Sequence, residues 1–454
     1  MMQDVELVED MSTSDDEEDM ELAGEIEHAK EVAAMLKNDA AKVSSAGNIS
    51  DSMAELNMDA YDDEDDGDEE MNRILGGGNP GMAFYANPED DPYLNANGGE
   101  DSEDEELEYR ESDLLIAAAR NEEDVSHLEI WVYEEGDEAN PDGNIYVHHS
   151  LLLPAFPLCL AWGPCDPVSG GVHGNFMAVG SFEPGIEIWN LDVIDAVEPV
   201  VTLGGADYEA ARQLDSDQGK KKKKKKKNKA PEIPVRPGSH KDAVLGLAWN
   251  QEFCNVLASG SADSTIKVWD IARHEATQTL SLHSDKVQAV RWKPVDASLL
   301  LSGGFDRNLF LSDLRNPDQK ASQWGISADV EAVNWDPHDS HVFAVAAEDG
   351  YVTMFDTRNS SEPLERILAH SKATTSVSFC PCLDGVFVTG STDATVKLWK
   401  KSDGGKHEEV SCQKMGVGAV FSSEYSRDSP MLVAAGGAAG SISVWDTNVL
   451  KNDL

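Results

Sequence analysis

The stretch Ser239 to Asp270, SHKDAVLGLAWNQEFCNVLASGSADSTIKVWD, decides the fold. Val244 to Trp249 reads as a strand and Asn255 to Gly260 as a second. Ala262 to Ser264 makes a tight turn, and Thr265 to Asp270 is a third strand rich in β-branched residues. His240 stands just before the first strand and lies 23 residues from Asp263; His283 to Asp306 and His370 to Asp393 keep the same offset. The stretch is therefore one copy of a repeat.

Third-strand landmarks Trp269, Ser312, Phe355, Trp399 and Trp445 follow at steps of 43, 43, 44 and 46 residues. First-strand aromatics Trp249, Trp292, Trp335, Phe379 and Phe421 keep a similar step. A period of about 40 to 45 residues with a Trp-Asp ending marks a four-stranded propeller blade. The endings VWD at Val268 to Asp270, MFD at Met354 to Asp356, LWK at Leu398 to Lys400 and VWD at Val444 to Asp446 resemble the WD-repeat family, which implies a propeller. Upstream, Leu114 to Ala119, His127 to Tyr133 and Ile145 to His149 read as the second, third and fourth strands of a blade around Trp131. Leu158 to Trp162, Phe176 to Gly180 and Gly185 to Asn190 form the next unit, around Trp189. Seven landmarks predict an all-β, seven-bladed propeller over residues 107–449.

The formal charge of -49 is uneven. Residues 1–112 hold 36 Asp and Glu against 5 Lys and Arg, and few aromatics. Such a segment cannot bury enough apolar surface to offset the entropy of ordering, so residues 1–106 are expected to be largely disordered. Within them Leu22, Ile26, Ala29, Ala33 and Leu36 make one apolar stripe, a possible short helix at 20–36. Ser14 and Ser102 precede acidic runs and are candidate phosphosites for an acid-directed kinase; plain solvation explains the same runs. There is no signal peptide pattern and no run of about 18 apolar residues, so no membrane association is expected.

The step from Trp189 to Trp269 is 80 residues, which places an insertion at 204–238. It carries Lys220, Lys221, Lys222, Lys223, Lys224, Lys225, Lys226, Lys227 and Lys229. Eight adjacent like charges repel and hold a loop open, which suits a nuclear localisation signal; nucleic-acid contact and simple solvation are the alternatives.

His240, Ser259 and Asp263 are the residue types of a hydrolase triad. A catalytic set should occur once, whereas this one returns as His370, Thr389 and Asp393 and in part as His283, Ser302 and Asp306. Trp269 and Trp399 complete two of the three as structural tetrads, in which a buried indole N–H finds an acceptor. Ser312 replaces the third Trp, Ile326 stands where a His is due, and Ala439 where an Asp is due. No phosphate loop, metal cluster or unrepeated acid–base pair is visible, so no enzyme, cofactor or small-molecule substrate is expected. Of the six cysteines, Cys380 and Cys382 sit close together, but no second Cys or His pair supplies the other half of a zinc site. They read as reduced thiols near a strand end.

Segments outside the repeat frame carry a narrower resemblance. MDAYDDEDDG (Met58 to Gly67), DPYL (Asp91 to Leu94), ARNEEDVSHLEIWVYEE (Ala119 to Glu135), HHSLLLPAFPLCLAW (His148 to Trp162) and GSHKDAVLGLAWN (Gly238 to Asn250) resemble the periodic tryptophan protein 1 family. That resemblance implies a nuclear and nucleolar scaffold in ribosomal RNA production and large-subunit assembly. Its implied partners are pre-ribosomal proteins, histones or rDNA chromatin, with RNA contact weak or indirect. Members of that family usually open with an apolar strand-like segment, whereas this chain opens at MMQDVELVED and has eight residues after Asp446, a poor fourth strand. It therefore reads as a truncated form. A second function class, the substrate receptor of a cullin-type ubiquitin ligase, rests on Asp313-Leu314-Arg315 and Asp356-Thr357-Arg358. There Arg315 and Arg358 are candidate adaptor contacts.

Overall fold

Runs such as Val-Leu-Gly-Leu-Ala-Trp and Val-Phe-Val-Thr-Gly-Ser put β-branched and aromatic residues where both faces of a strand are covered, and the structure builds a sheet from each set. The computed structural model describes residues 109–450, apart from 111–112, 123–124, 137–142, 170, 172–173, 208–233, 317–319, 360–361 and 403. The chain divides into two units, Met1–Gly99 and Glu100–Leu454, and the described residues belong to the second. The candidate phosphosites Ser14 and Ser102, the possible helix at 20–36 and the whole lysine run lie outside the described residues.

The first blade is β1 (Leu114–Glu122), β2 (Val125–Glu134) and β3 (Asn144–Leu153). The second is β4 (Pro157–Gly163), β5 (Phe176–Ser181), β6 (Gly185–Asn190) and β7 (Val201–Gly204). The third is β8 (Val244–Trp249), β9 (Val256–Ser261), β10 (Ile266–Asp270) and β11 (Glu275–Leu280). The fourth is β12 (Val287–Trp292), β13 (Leu299–Gly304), β14 (Asn308–Asp313) and β15 (Ser322–Gly325). The fifth is β16 (Val330–Trp335), β17 (Val342–Ala347), β18 (Tyr351–Asp356) and β19 (Glu365–Leu368). The sixth is β20 (Thr374–Phe379), β21 (Val386–Ser391), β22 (Val396–Lys401) and β23 (His407–Gln413). The seventh is β24 (Val420–Tyr425), β25 (Leu432–Gly437) and β26 (Ile442–Asp446), followed by a 3-10 turn at Thr447–Leu450. All neighbours within a blade pair antiparallel in chain order, giving an all-β seven-bladed propeller. The first blade's strands run beyond the predicted bounds because β1 and β2 stay in register from Leu114↔Tyr133 to Glu122↔Val125.

Two repeated devices fit one blade to the next. The first strands of six blades carry a bulge directly after their opening residue, as between Val244 and Gly246 or Val287 and Ala289. A bulge adds twist and re-aims the strand. The second strands carry Gly180, Gly260, Gly303 or Gly390 where a Cβ would come within 2.9, 2.8, 2.6 and 2.8 Å of Val244, Val287, Val330 and Val420 of the next blade. Only a residue without a side chain allows that approach.

The core consequently lies between blades rather than at one centre. Phe176, Ile188, Val244 and Trp269 bring the second and third blades together, and Val386, Leu398, Val420 and Val433 the sixth and seventh. Where the seventh blade meets the first, Ser429 Oγ donates to Glu135 Oε1 at 2.6 Å. Arg291 on β12 and Glu424 on β24 form an ion pair at 2.9 Å.

Candidate functional site

In the third blade, the loop into β8 sets His240 against the turn between β9 and β10. His240 and Ser259 are fully buried. The ring's Nδ1 lies 3.1 Å from Asp263 Oδ2 and its Nε2 2.7 Å from Ser259 Oγ, and Trp269 Nε1 donates to the same hydroxyl oxygen at 2.8 Å. One assignment satisfies every group: Nδ1–H donates to the carboxylate, and Ser259 donates to Nε2 while accepting from the indole. Asp263 also accepts from the Lys241 N–H at 2.9 Å and from Thr265 Oγ1 at 2.6 Å.

The sixth blade repeats the arrangement. His370 Nδ1 is 3.2 Å from Asp393 Oδ2, its Nε2 is 2.8 Å from Thr389 Oγ1, and Trp399 Nε1 reaches Thr389 Oγ1 at 3.0 Å. In the fourth blade His283 meets Asp306 at 3.0 Å and Ser302 at 2.9 Å, but Ser312 offers no indole. Phe310 packs edge-on against His283 at 4.8 Å instead, and the buried Ser312 hydroxyl finds no partner. The fifth blade substitutes aromatic packing: Phe343 lies 5.3 Å from Trp324, 5.4 Å from Trp335 and 5.5 Å from Phe355, and Ile326 packs beside them. Its Asp349, lacking a histidine, accepts from Ser327 at 3.0 Å and Arg366 at 2.8 Å.

Electrostatics follow from this burial. Burial lowers the pKa of His240, His283 and His370, and the facing aspartates oppose it only in part, so the rings are neutral. For Asp263 burial acts to raise the pKa, but bonds from His240, Thr265 and the Lys241 N–H outweigh it and hold the carboxyl well below its ordinary range. Asp306 and Asp393 are lowered by the same balance. A hydroxyl that donates to histidine and accepts from an enclosed indole has no open approach for a substrate carbonyl. All three sets tie the loop before the first strand to the second strand and to the turn that follows it.

The first two blades solve the same problem by a route that the repeat reading missed. Trp131 Nε1 donates to Glu129 Oε2 at 2.9 Å, and Trp189 Nε1 donates to Glu187 Oε2 at 3.1 Å. Both come from Glu-Ile-Trp, and residues two apart on a strand share a face. Burial, with Glu183 adding, pushes the Glu187 carboxyl up, against the indole bond. The tetrad blades instead carry Lys267 and Lys397 at this position, bonded to Thr279 at 3.0 Å and Glu409 at 2.7 Å. The signal was legible as the contrast between Glu-x-Trp and Lys-x-Trp.

Arg315 and Arg358 stand exposed on one rim of adjacent blades, each folded back on its own strand end. Arg315 bonds Asp313 at 2.9 Å and Asp296 at 3.2 Å; Arg358 bonds Asp356 within 3.0 Å, with Asp339 at 3.8 Å. These bonds hold the Asp313 and Asp356 carboxyls below their ordinary range. All six cysteines are free, and burial pushes Cys159 up to about 12 and Cys380 in the same direction. Among the described residues, no group of three or more His, Cys, Asp and Glu could hold a metal ion. No helix among them is long and apolar enough to cross a membrane.

Residues 235–270 match the WD domain, G-beta repeat family, and residues 276–404 match the MIOS, WD40 repeat family. A WD repeat-containing protein of Schizosaccharomyces pombe is 38% identical over 405 residues, covering 88% of this chain and 74% of the relative. Periodic tryptophan protein 1 of Saccharomyces cerevisiae is 38% identical over 263 residues, which is 51% of this chain and 44% of the relative. The Drosophila melanogaster homolog of periodic tryptophan protein 1 is 36% identical over 182 residues, which is 40% of this chain and 34% of that protein. The chain belongs to the WD-repeat proteins and is similar to periodic tryptophan protein 1. Its alignments span less than half the length of the two relatives that bear the periodic tryptophan name. In this member of the family the tryptophans are periodic in position but not in bonding: Trp269 and Trp399 close tetrads, while Trp131 and Trp189 bond along their own strands.

Proposed function

We propose that the chain is a non-enzymatic WD-repeat scaffold that assembles protein partners during ribosome production in the nucleus and nucleolus. The observation that carries this reading is the similarity to periodic tryptophan protein 1 of Saccharomyces cerevisiae, 38% identical over 51% of this chain. Its lysine run supplies nuclear entry, its acidic N-terminal region attracts basic partners such as ribosomal proteins or histones at rDNA chromatin, and the propeller supplies specificity. RNA contact is then indirect or weak. The repeated Ser-His-Asp sets support a binding rather than a catalytic role, since each is built into a blade.

The test is affinity purification of the full chain from nuclear extract at physiological salt. Enrichment of pre-ribosomal proteins with ribosomal RNA is the expected outcome. Recovery of a cullin adaptor without them, lost on Arg315→Ala and Arg358→Ala together, would replace this reading with the ubiquitin-ligase one. The geometry favours the scaffold, because both guanidinium groups already bond carboxylates of their own blade.

A further inference from the structure

Loops after the first strands of the sixth and seventh blades converge on three sulfur atoms. Cys380 directly follows β20, and its Sγ is 3.5 Å from that of Cys382. Met431, directly before β25 in the neighbouring blade, brings its Sδ to 3.5 Å from Cys382 Sγ. Both loops are anchored by their backbones. The Cys380 N–H donates to the Val386 carbonyl at 2.9 Å, and the Met431 carbonyl accepts from Thr447 Oγ1 at 2.6 Å and from its N–H at 3.0 Å.

The fold explains one of these sulfurs and not the other two. At the place of Cys380, marked by an N–H donated to the start of the second strand, other blades carry Asn250, Asp336 and Ser426. Their side-chain oxygens cap the loop: Asn250 Oδ1 accepts from Glu252 and Phe253, Asp336 Oδ1 from His338, and Ser426 Oγ from Ser429. Cys380 Sγ takes that place and lies 3.5 Å from the Pro430 carbonyl oxygen of the neighbouring blade. Capping needs neither the second thiol nor the thioether across the blade boundary. Beside them lies the buried Tyr425, which packs in the same cluster as Cys380 and Met431.

We propose that Cys380, Cys382 and Met431 form a binding site for a soft monovalent metal ion, copper(I). Two thiolates and a thioether are soft donors, the set that selects this ion over hard cations. Zinc would need four ligands from Cys, His, Asp and Glu, and a thioether is not among its usual donors. The two thiol sulfurs already lie 3.5 Å apart, close enough for one ion to bind both. Cys382 is exposed and Met431 half-buried, which leaves an entry path, while Cys380 is buried and fixes the floor. Binding displaces the two thiol protons to solvent, and the ion enters and stays as copper(I), so no electron donor or acceptor is required.

The experiment is anaerobic titration of the full chain, with reductant, against bathocuproine disulfonate already loaded with copper(I). The protein is expected to withdraw one equivalent, and its melting temperature to rise on loading. Cys382→Ser should weaken retention by roughly tenfold or more, and Met431→Leu should weaken it measurably with volume conserved. Cys412→Ser, on a different strand, should retain copper as the parent does. Both tested ligand positions are at least partly exposed, so unchanged apo melting temperatures show that loss of metal is not loss of fold. Equal retention by the parent and Cys382→Ser overturns the site, as does loss on Cys412→Ser. Failure of the reduced parent to withdraw copper overturns it too.

Discussion

Asp263 shows how much one side chain can decide. It closes the His240 tautomer, accepts from the Lys241 N–H and receives Thr265, so Asp263→Ala leaves a buried imidazole N–H and a backbone N–H with fewer partners. Loss of such bonds costs about 1 to 3 kcal/mol. Asp306→Ala should cost less, because Ser312 has already removed the indole from that blade's chain of bonds. Chemical denaturation of the two variants checks the order, and equal losses would contradict the graded reading. A pH dependence follows from the same residues. The three histidines titrate lower when folded than unfolded, so between the folded values and about 6.5 the unfolded chain binds more protons and stability is lost as pH falls. The aspartates are lowered too, so their contribution is complete above about 3.9 and is lost as pH falls below it. These terms share a sign. A melting temperature that drops from about pH 7 to about pH 5, and more steeply below about pH 4, is the expected result.

Blade by blade, the element is set by how its landmark tryptophan is satisfied. In the second blade Glu187 does this alone, so Glu187→Ala orphans the fully buried Trp189 indole, at about 1 to 3 kcal/mol, whereas Glu187→Gln keeps an acceptor oxygen and should lose less. Matching thermal shifts for the two variants would show that the carboxylate charge, and not the hydrogen bond, matters. Strands and blade count were legible because covered strands need β-branched runs, and because a period near 43 residues repeats the same offsets from His240 onward. Glu129 and Glu187 were overlooked because a glutamate on a strand reads as solvent-facing until a neighbouring sheet covers it. Met431 was invisible for another reason: it reaches Cys382 only when two blades stand side by side, 49 residues apart in sequence. A search for Cys and His spacing cannot register it.

At the scale of the whole chain, charge is divided along the sequence. The lysine run lies between β7 and β8, where the repeat frame is interrupted, and an interrupted frame tolerates replacement. Exchanging Lys220 to Lys227 for Gly and Ser should therefore leave the melting temperature unchanged and reduce nuclear accumulation, as scored by imaging. Undiminished nuclear entry would assign import to a partner or to another segment.

The acidic region bears on the proposed scaffold role more directly. Its 36 carboxylates against 5 basic residues over positions 1–112 draw any polycation, but attraction between solvated charges fades beyond roughly 8 Å at physiological salt. Charge alone therefore does not choose among basic partners. Leu56, Met58, Tyr61, Tyr93 and Leu94 are apolar or aromatic residues set among the carboxylates, and each adds about 1.5 to 3 kcal/mol if a partner covers it fully. Removing residues 1–105 should weaken binding to a basic ribosomal protein or histone tail and flatten its salt dependence. Replacing only the five apolar positions by Ser should weaken binding and leave the salt slope intact, because the number of charges is the same. Both are read from binding isotherms at several salt concentrations. If the truncated chain matched the full one throughout, the region would have no part in recognition. If only the apolar replacement matched, the region would act as a polyanion, and discrimination between partners would rest on the propeller.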